Sequence, residues 1–160
     1  MIKTLTQIGP QNAKISFYLP NPPKLPVDWH ESSKLNIEDL ITLNGNHWRK
    51  IFVIIAKIVC PNNNWRDYLP QLLQQDESIH FGKTTLCPSA QIHFVCGQQS
   101  AQALSLDILT EPQSFRVINQ SNQQICLLPY LDYRQCPNRT IDSLRATLRA
   151  QQKGAQGAFL

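Results

Sequence analysis

The segment PYLDYRQCPNR, Pro129 to Arg139, holds the chain's densest mixture of aromatic, acidic and basic side chains. Tyr130 and Tyr133 are rings on which a base or another flat molecule can stack. Arg134 and Arg139 can hold phosphate, Asn138 supplies an amide, and Asp132 can accept a proton or a hydrogen bond. The competing reading is structural: the tyrosines pack and Arg134 pairs with Asp132. Two further positions belong beside this segment. Gly97 follows an apolar run and would let a backbone approach a ligand, with the amides of Gln98 and Gln99 next to it. Asn21 opens the loop Asn21 to Lys24 after another apolar run. NGNHWRK, Asn44 to Lys50, joins a turn to a histidine, a tryptophan and two cations, yet His47 has no evident partner for acid–base work. A helix start is preferred there, in which Asn46 caps, Trp48 packs and Arg49 is solvated.

Other chemistries lack their spacing. No GxGxxG, P-loop or GxSxG pattern occurs, which argues against classical dinucleotide binding, nucleoside triphosphate hydrolysis and serine hydrolase chemistry. No catalytic residue is assigned and no cofactor is expected. The five cysteines, Cys60, Cys87, Cys96, Cys126 and Cys136, are odd in number, lack a CxxC pair and sit largely among apolar neighbours, so they read as reduced, mostly buried thiols. His30, His47, His80 and His93 are scattered singly, and no metal site is expected.

These residues need elements to position them. Ile15 to Leu19 reads as a strand running into the stiff PNPPKLP loop. Asn36 caps a short helix, NGN breaks it, and a longer helix continues from about His47 to Cys60, its wide apolar face (Trp48, Ile51, Phe52, Ile54, Ile55, Ile58, Val59) suited to lying across a sheet. Asn62 to Gln75 shows helical spacing that Pro70 kinks or divides, and a loop continues to Ala90. Ile92 to Cys96 is a strand covered on both faces, succeeded by the glycine and a helix over Ser100 to Leu109. Phe115 to Asn119 and Gln124 to Leu128 form a hairpin. The final helix, about Thr140 to Gln152, sets Ile141, Leu144 and Leu148 on one face and Arg145, Arg149 and Lys153 on another.

This order predicts a three-layer α/β domain over residues 1–153, with a small, mainly parallel sheet of about four strands flanked by helices and a flexible tail over 154–160. Ligands in such sheets bind beyond the carboxyl ends of the strands, which directs attention to Asn21 to Lys24, Gly97 to Ser100 and Pro129 to Asn138. Apolar residues make up 42% of the 160 and charged residues 16%, a balance that favours a packed domain over disorder. The longest apolar run, Ile51 to Ala56, is far short of a membrane span, and the first residues lack an export signal, so a cytoplasmic location is expected. From Arg134 onward five cations face Asp142 alone, giving a basic surface compatible with phosphate or nucleic acid.

Three segments resemble the uracil-DNA glycosylase superfamily: FYLPNPP (Phe17 to Pro23), FVCGQQSAQAL (Phe94 to Leu104) and CLLPYLDYRQCPN (Cys126 to Asn138). The resemblance implies a small parallel sheet with helices on both sides and site loops after its first and last strands. It implies that Asn21 would position a water. Where that superfamily has His or Asn before Pro, this chain has Leu128, so the residue expected to stabilise a departing base is missing. Two functions are in view. The missing catalytic spacings favour a non-enzymatic binding or accessory protein, acting as a homo-oligomer or with a protein partner and displaying Trp29, Phe159 and Leu160 as apolar surface. The alternative is a nucleic-acid-binding protein with degenerate catalytic residues, in which Arg134, Arg139, Arg145 and Arg149 meet phosphates.

Overall fold

The structure is a computed structural model that describes residues 5–30 and 34–152. Its centre is a six-stranded sheet in the order β1-β3-β2-β4-β6-β5. The strands are β1 Gln7–Ile8, β2 Ile15–Leu19, β3 Glu77–Phe81, β4 Ile92–Cys96, β5 Arg116–Gln120 and β6 Gln123–Leu128. β3, β2, β4 and β6 run parallel; β1 and β5 close the edges antiparallel. The fold is therefore α/β with a mixed, mostly parallel sheet. Two of the six strands are additional to those expected: β1 precedes the first expected strand, and β3 falls within the loop expected to continue to Ala90. The expected hairpin forms: β5 and β6 pair antiparallel around Ser121, which adopts the left-handed conformation (φ 48°).

Five helices flank the sheet: α1 Ile37–Asn44, α2 Asn46–Val59, α3 Trp65–Tyr68, α4 Gln98–Ala103 and α5 Asn138–Gln152. Asn36 caps α1 by accepting the Asp39 N–H at 3.1 Å. α2 instead begins at Asn46 itself with Gly45 before it, so Asn46 is not a cap; Gly45, at φ 85°, makes the break. Pro70 divides the next segment as expected, leaving α3 and a 3-10 turn over Leu69–Gln71. α4 ends at Ala103, short of the Ser100 to Leu109 expectation, and Ser105 turns the chain at φ 57°.

Strand alternation divides the core in two. Ile15, Phe17, Leu19, Ile79, Phe81, Ile92, Phe94, Cys96, Cys126 and Leu128 share one buried cluster with Ile37 and Leu40 of α1, the apolar residues of α2, and Ile141, Leu144 and Leu148 of α5. The other face is thinner: Tyr18, Val95, Ile125 and Leu127 pack with Ala101 and Leu104 at α4. Cys60, Cys96, Cys126 and Cys136 are buried and Cys87 is half-buried. Trp29 is partly buried against the first cluster and is not the exposed apolar surface expected of it. Phe159, Leu160 and the rest of the 154–160 tail lie outside the described residues. No helix among the described residues is long and apolar enough to cross a membrane.

Candidate functional site

Chain reversals after β2, β4 and β6 meet at one end of the parallel strands and enclose a cleft of about 1230 Å³. Val95, Cys96, Leu127 and Leu128 give it an apolar floor, and Asn21, Gln98, Gln99 and Gln135 bring amides to its sides. Each wall has a structural reason. The loop that carries Asn21 is pinned by Asn44, whose Oδ1 accepts the Lys24 N–H at 2.8 Å while its Nδ2 donates to the Lys24 carbonyl at 2.9 Å. Gly97 adopts φ 88° directly beneath Tyr130; a Cβ there would stand 3.4 Å from the Tyr130 ring. The opposite wall is stapled by Gln113, which donates to the Arg134 carbonyl at 2.9 Å and accepts from the Thr140 hydroxyl at 2.7 Å.

Six of the residues expected to bind ligand line this cleft: Asn21, Gln98, Tyr130, Asp132, Tyr133 and Arg134. Asp132 is already committed. Its Oδ1 accepts the N–H groups of Arg134 and Gln135 at 2.9 and 2.8 Å, and its Oδ2 accepts from the Gln135 side chain at 2.8 Å, so it shapes the loop. Arg134 engages it through the backbone only. Asn138 and Arg139 are exposed at the start of α5 and do not line the cleft; Asn138 Oδ1 accepts from Lys57 Nζ at 3.0 Å.

The expected phosphate contact at Arg145 is overturned. The side chain is buried, 7% exposed, and its guanidinium donates to the carbonyls of Lys57, Cys60 and Asn62. It supplies the donors that the last turn of α2 lacks, because the final carbonyls of a helix have no partner within it. Arg149 is exposed on the same helix.

His47 is the residue the sequence pattern undervalues. It lines the cleft, its Nε2 lies 2.9 Å from the Tyr130 hydroxyl, and the two rings stack at 5.8 Å with 23° between their planes. Burial, then the neighbouring Cys96 thiol and Asp132, raises the Tyr130 pKa. The pair is able to pass a proton between Oη and Nε2 at the cleft mouth. Separated by 83 positions, it has no local sequence signature. Outside the cleft, Lys50 and Lys57 of α2 lie over the Tyr133 ring at 5.5 and 5.7 Å, and Lys57 and Arg66 lie over Trp65 at 5.2 and 4.5 Å. Among the described residues no group of three His, Cys, Asp or Glu side chains is placed to hold a metal ion.

Fold and cleft together define an α/β protein with a polar, aromatic-edged recess at the carboxyl ends of its parallel strands. The chain belongs to a family of unknown function, DUF6942, whose model matches residues 6–149. No curated protein and no solved structure matches it, and nothing in these comparisons supports the likeness to uracil-DNA glycosylases.

Proposed function

We propose that this protein is a non-enzymatic binding protein whose cleft takes a small, flat, polar ligand carrying an anionic group. The observation that carries the reading is the convergence of the stacked His47–Tyr130 pair, the amides of Asn21 and Gln98, and the exposed Arg134 on one recess with an apolar floor. A ring would lie against Tyr130, the amides would read its edge, and Arg134 would meet the anion. Thermal-shift measurements with free nucleobases and nucleoside monophosphates test this. At least one should raise the melting temperature, and replacing Tyr130 and Arg134 together by alanine should abolish that rise while changing unliganded stability by no more than about 1–2 kcal/mol. No shift with any of these probes would sink the reading. As an accessory protein the chain would also act as a homo-oligomer or with a protein partner, which light scattering across concentrations addresses.

The second reading is nucleic-acid binding, with catalysis lost at Leu128. A specific observation favours it: the cations Lys50, Lys57 and Arg66 of α2 and α3 alternate with the rings of Trp65 on α3 and Tyr133 on the loop before α5, a row that leads to the cleft through Tyr133. Burial first, then the nearby Arg66 charge, lowers the Lys57 pKa, with Asp142 opposing them. Exposed Arg139 and Arg149 could add phosphate contacts; Arg145 could not. Binding to single-stranded DNA should weaken with salt at a log–log slope of about 0.7 per phosphate contact, and K50A/K57A should reduce the slope by one to two contacts. Salt-insensitive or absent binding removes this alternative.

A further inference from the structure

The second face of the sheet departs from an apolar layer between β3 and β4. Ser16 and Tyr18 of β2, Ser78 and His80 of β3, and His93 of β4 are all buried, with His93 at 0% exposure. The Tyr18 ring is stacked against both imidazoles, 5.3 Å from His80 and 5.7 Å from His93. His80 Nε2 sits 3.2 Å from the hydroxyls of both Ser16 and Ser78. The connection from β3 to β4, residues 82–91, contains no helix. Its ends are bonded to β2 and its approach, Gly82 to Leu19 O and Gln91 to Lys14 O. Between them, the Cys87 N–H donates to Tyr18 Oη at 2.9 Å.

That bond dictates where the remaining protons go. Since Tyr18 Oη accepts from Cys87, its own proton is directed to His93 Nδ1, 2.7 Å away. His93 is thereby set as the neutral tautomer carrying hydrogen on its buried Nε2. A second proton on the ring would turn Nδ1 from acceptor to donor. Tyr18 Oη would then face two N–H groups, and its own hydrogen would have to leave His93 for the neighbouring Ser16 hydroxyl, which His80 Nε2 already meets at 3.2 Å. We propose that the His80–Tyr18–His93 stack is an acid-sensitive latch, which ties segment 82–91 to the sheet while both imidazoles are neutral and releases it when they are protonated.

The surrounding groups have the required sign. Burial foremost, then the charges of Lys83 and His93, lowers the His80 pKa from 6.5 to about 4. Burial also lowers that of His93, partly offset by the Gln123 side chain. The half-buried Cys87 thiol, 3.3 Å from Ser89 Oγ, and the Tyr18 phenol, pushed up to about 12 mainly by burial, complete the titratable groups around the stack. Imidazoles freed by opening regain ordinary values, so the open form binds more protons as pH falls below 6.5. The opening constant therefore rises by up to about tenfold per pH unit for each imidazole.

Amide hydrogen exchange of the full chain between pH 7.5 and 5, corrected for intrinsic rates, tests the latch. The Cys87 amide and its neighbours in 82–91 should lose at least about tenfold in protection over this range while the amides of Phe94 and Val95 keep theirs. H80Q/H93Q should abolish the pH dependence. Y18F, which removes the acceptor with little change of shape, should leave 82–91 weakly protected at every pH. Protection that is independent of pH, that is lost together with β4, or that retains its pH dependence in H80Q/H93Q would each overturn the proposal.

Discussion

Arg145 carries a full charge in a buried position, and carbonyl oxygens hold it there. Its three carbonyl partners lie at the end of α2 and just beyond it, 83 to 88 positions away, so truncation would leave both a helix terminus and its succeeding turn short of donors. Arg145→Ala should cost about 3 kcal/mol or more in urea unfolding, and Arg145→Lys should recover only part of that, because an ammonium cannot span the same carbonyls. Either variant should leave the salt dependence of any DNA binding unchanged. A loss under about 1 kcal/mol would contradict the capping role. Its i, i+4 relation to Arg149 reads in sequence as one solvated basic face, yet a long side chain can turn its head away from the face its Cα occupies. The same limit hides the His47–Tyr130 pair. Tyr130, Tyr133 and Arg134 are legible as a group because one loop after a strand carries them all; the distant residue that meets them is not.

Helices, strands and turns are legible in the sequence where a local pattern encodes them. The apolar width of α2, the cap at Asn36, the Pro70 division and the β5–β6 hairpin each have a signature within a few residues. β3 has a signature that misleads: Glu77, Ser78 and His80 make it look polar, and all three are buried because Tyr68, Leu73, Ser16 and one another supply partners from elsewhere. Missing it leaves β2 looking like an edge strand, since β3 is its parallel neighbour on the side away from β4. The β4–α4 turn illustrates how an element positions the site. Gly97→Ala must place a side chain at φ 88° and bring its Cβ against the Tyr130 ring. We expect a stability loss of about 1–2 kcal/mol, together with displacement of Tyr130 from His47, measurable as a changed chemical shift of the His47 ring. An unchanged His47 signal in a stably folded variant would show that Gly97 does not set the pair.

For the whole molecule, the buried ionisable groups should tilt stability in opposite directions. His80 and His93 are held neutral, so stability falls as pH drops below 6.5, where the unfolded chain takes up protons that the folded chain refuses. Glu77 acts on the other limb. It is 0% exposed at the start of β3, its Oε1 accepting the Leu73 N–H and its Oε2 the Tyr68 hydroxyl, both at 2.8 Å. Burial raises its pKa from 4.5; the two hydrogen bonds, which favour the carboxylate, only partly oppose this, and Asp76 adds to the rise. Between 4.5 and its higher folded value the native state therefore binds the extra proton, so this residue's contribution to stability declines as pH rises through that window, at up to about 1.4 kcal/mol per pH unit. Glu77→Gln keeps an oxygen for the Leu73 N–H and offers an amide to Tyr68 without the buried charge. Relative to wild type it should therefore gain stability steadily as pH rises from 4.5, and level off above the folded value. Urea unfolding of both proteins at half-unit intervals from pH 4 to 8 measures this difference directly. Parallel curves would mean that the two hydrogen bonds offset the burial of the carboxylate in full, and a variant that loses ground with rising pH would mean that the charged form is the one the fold prefers.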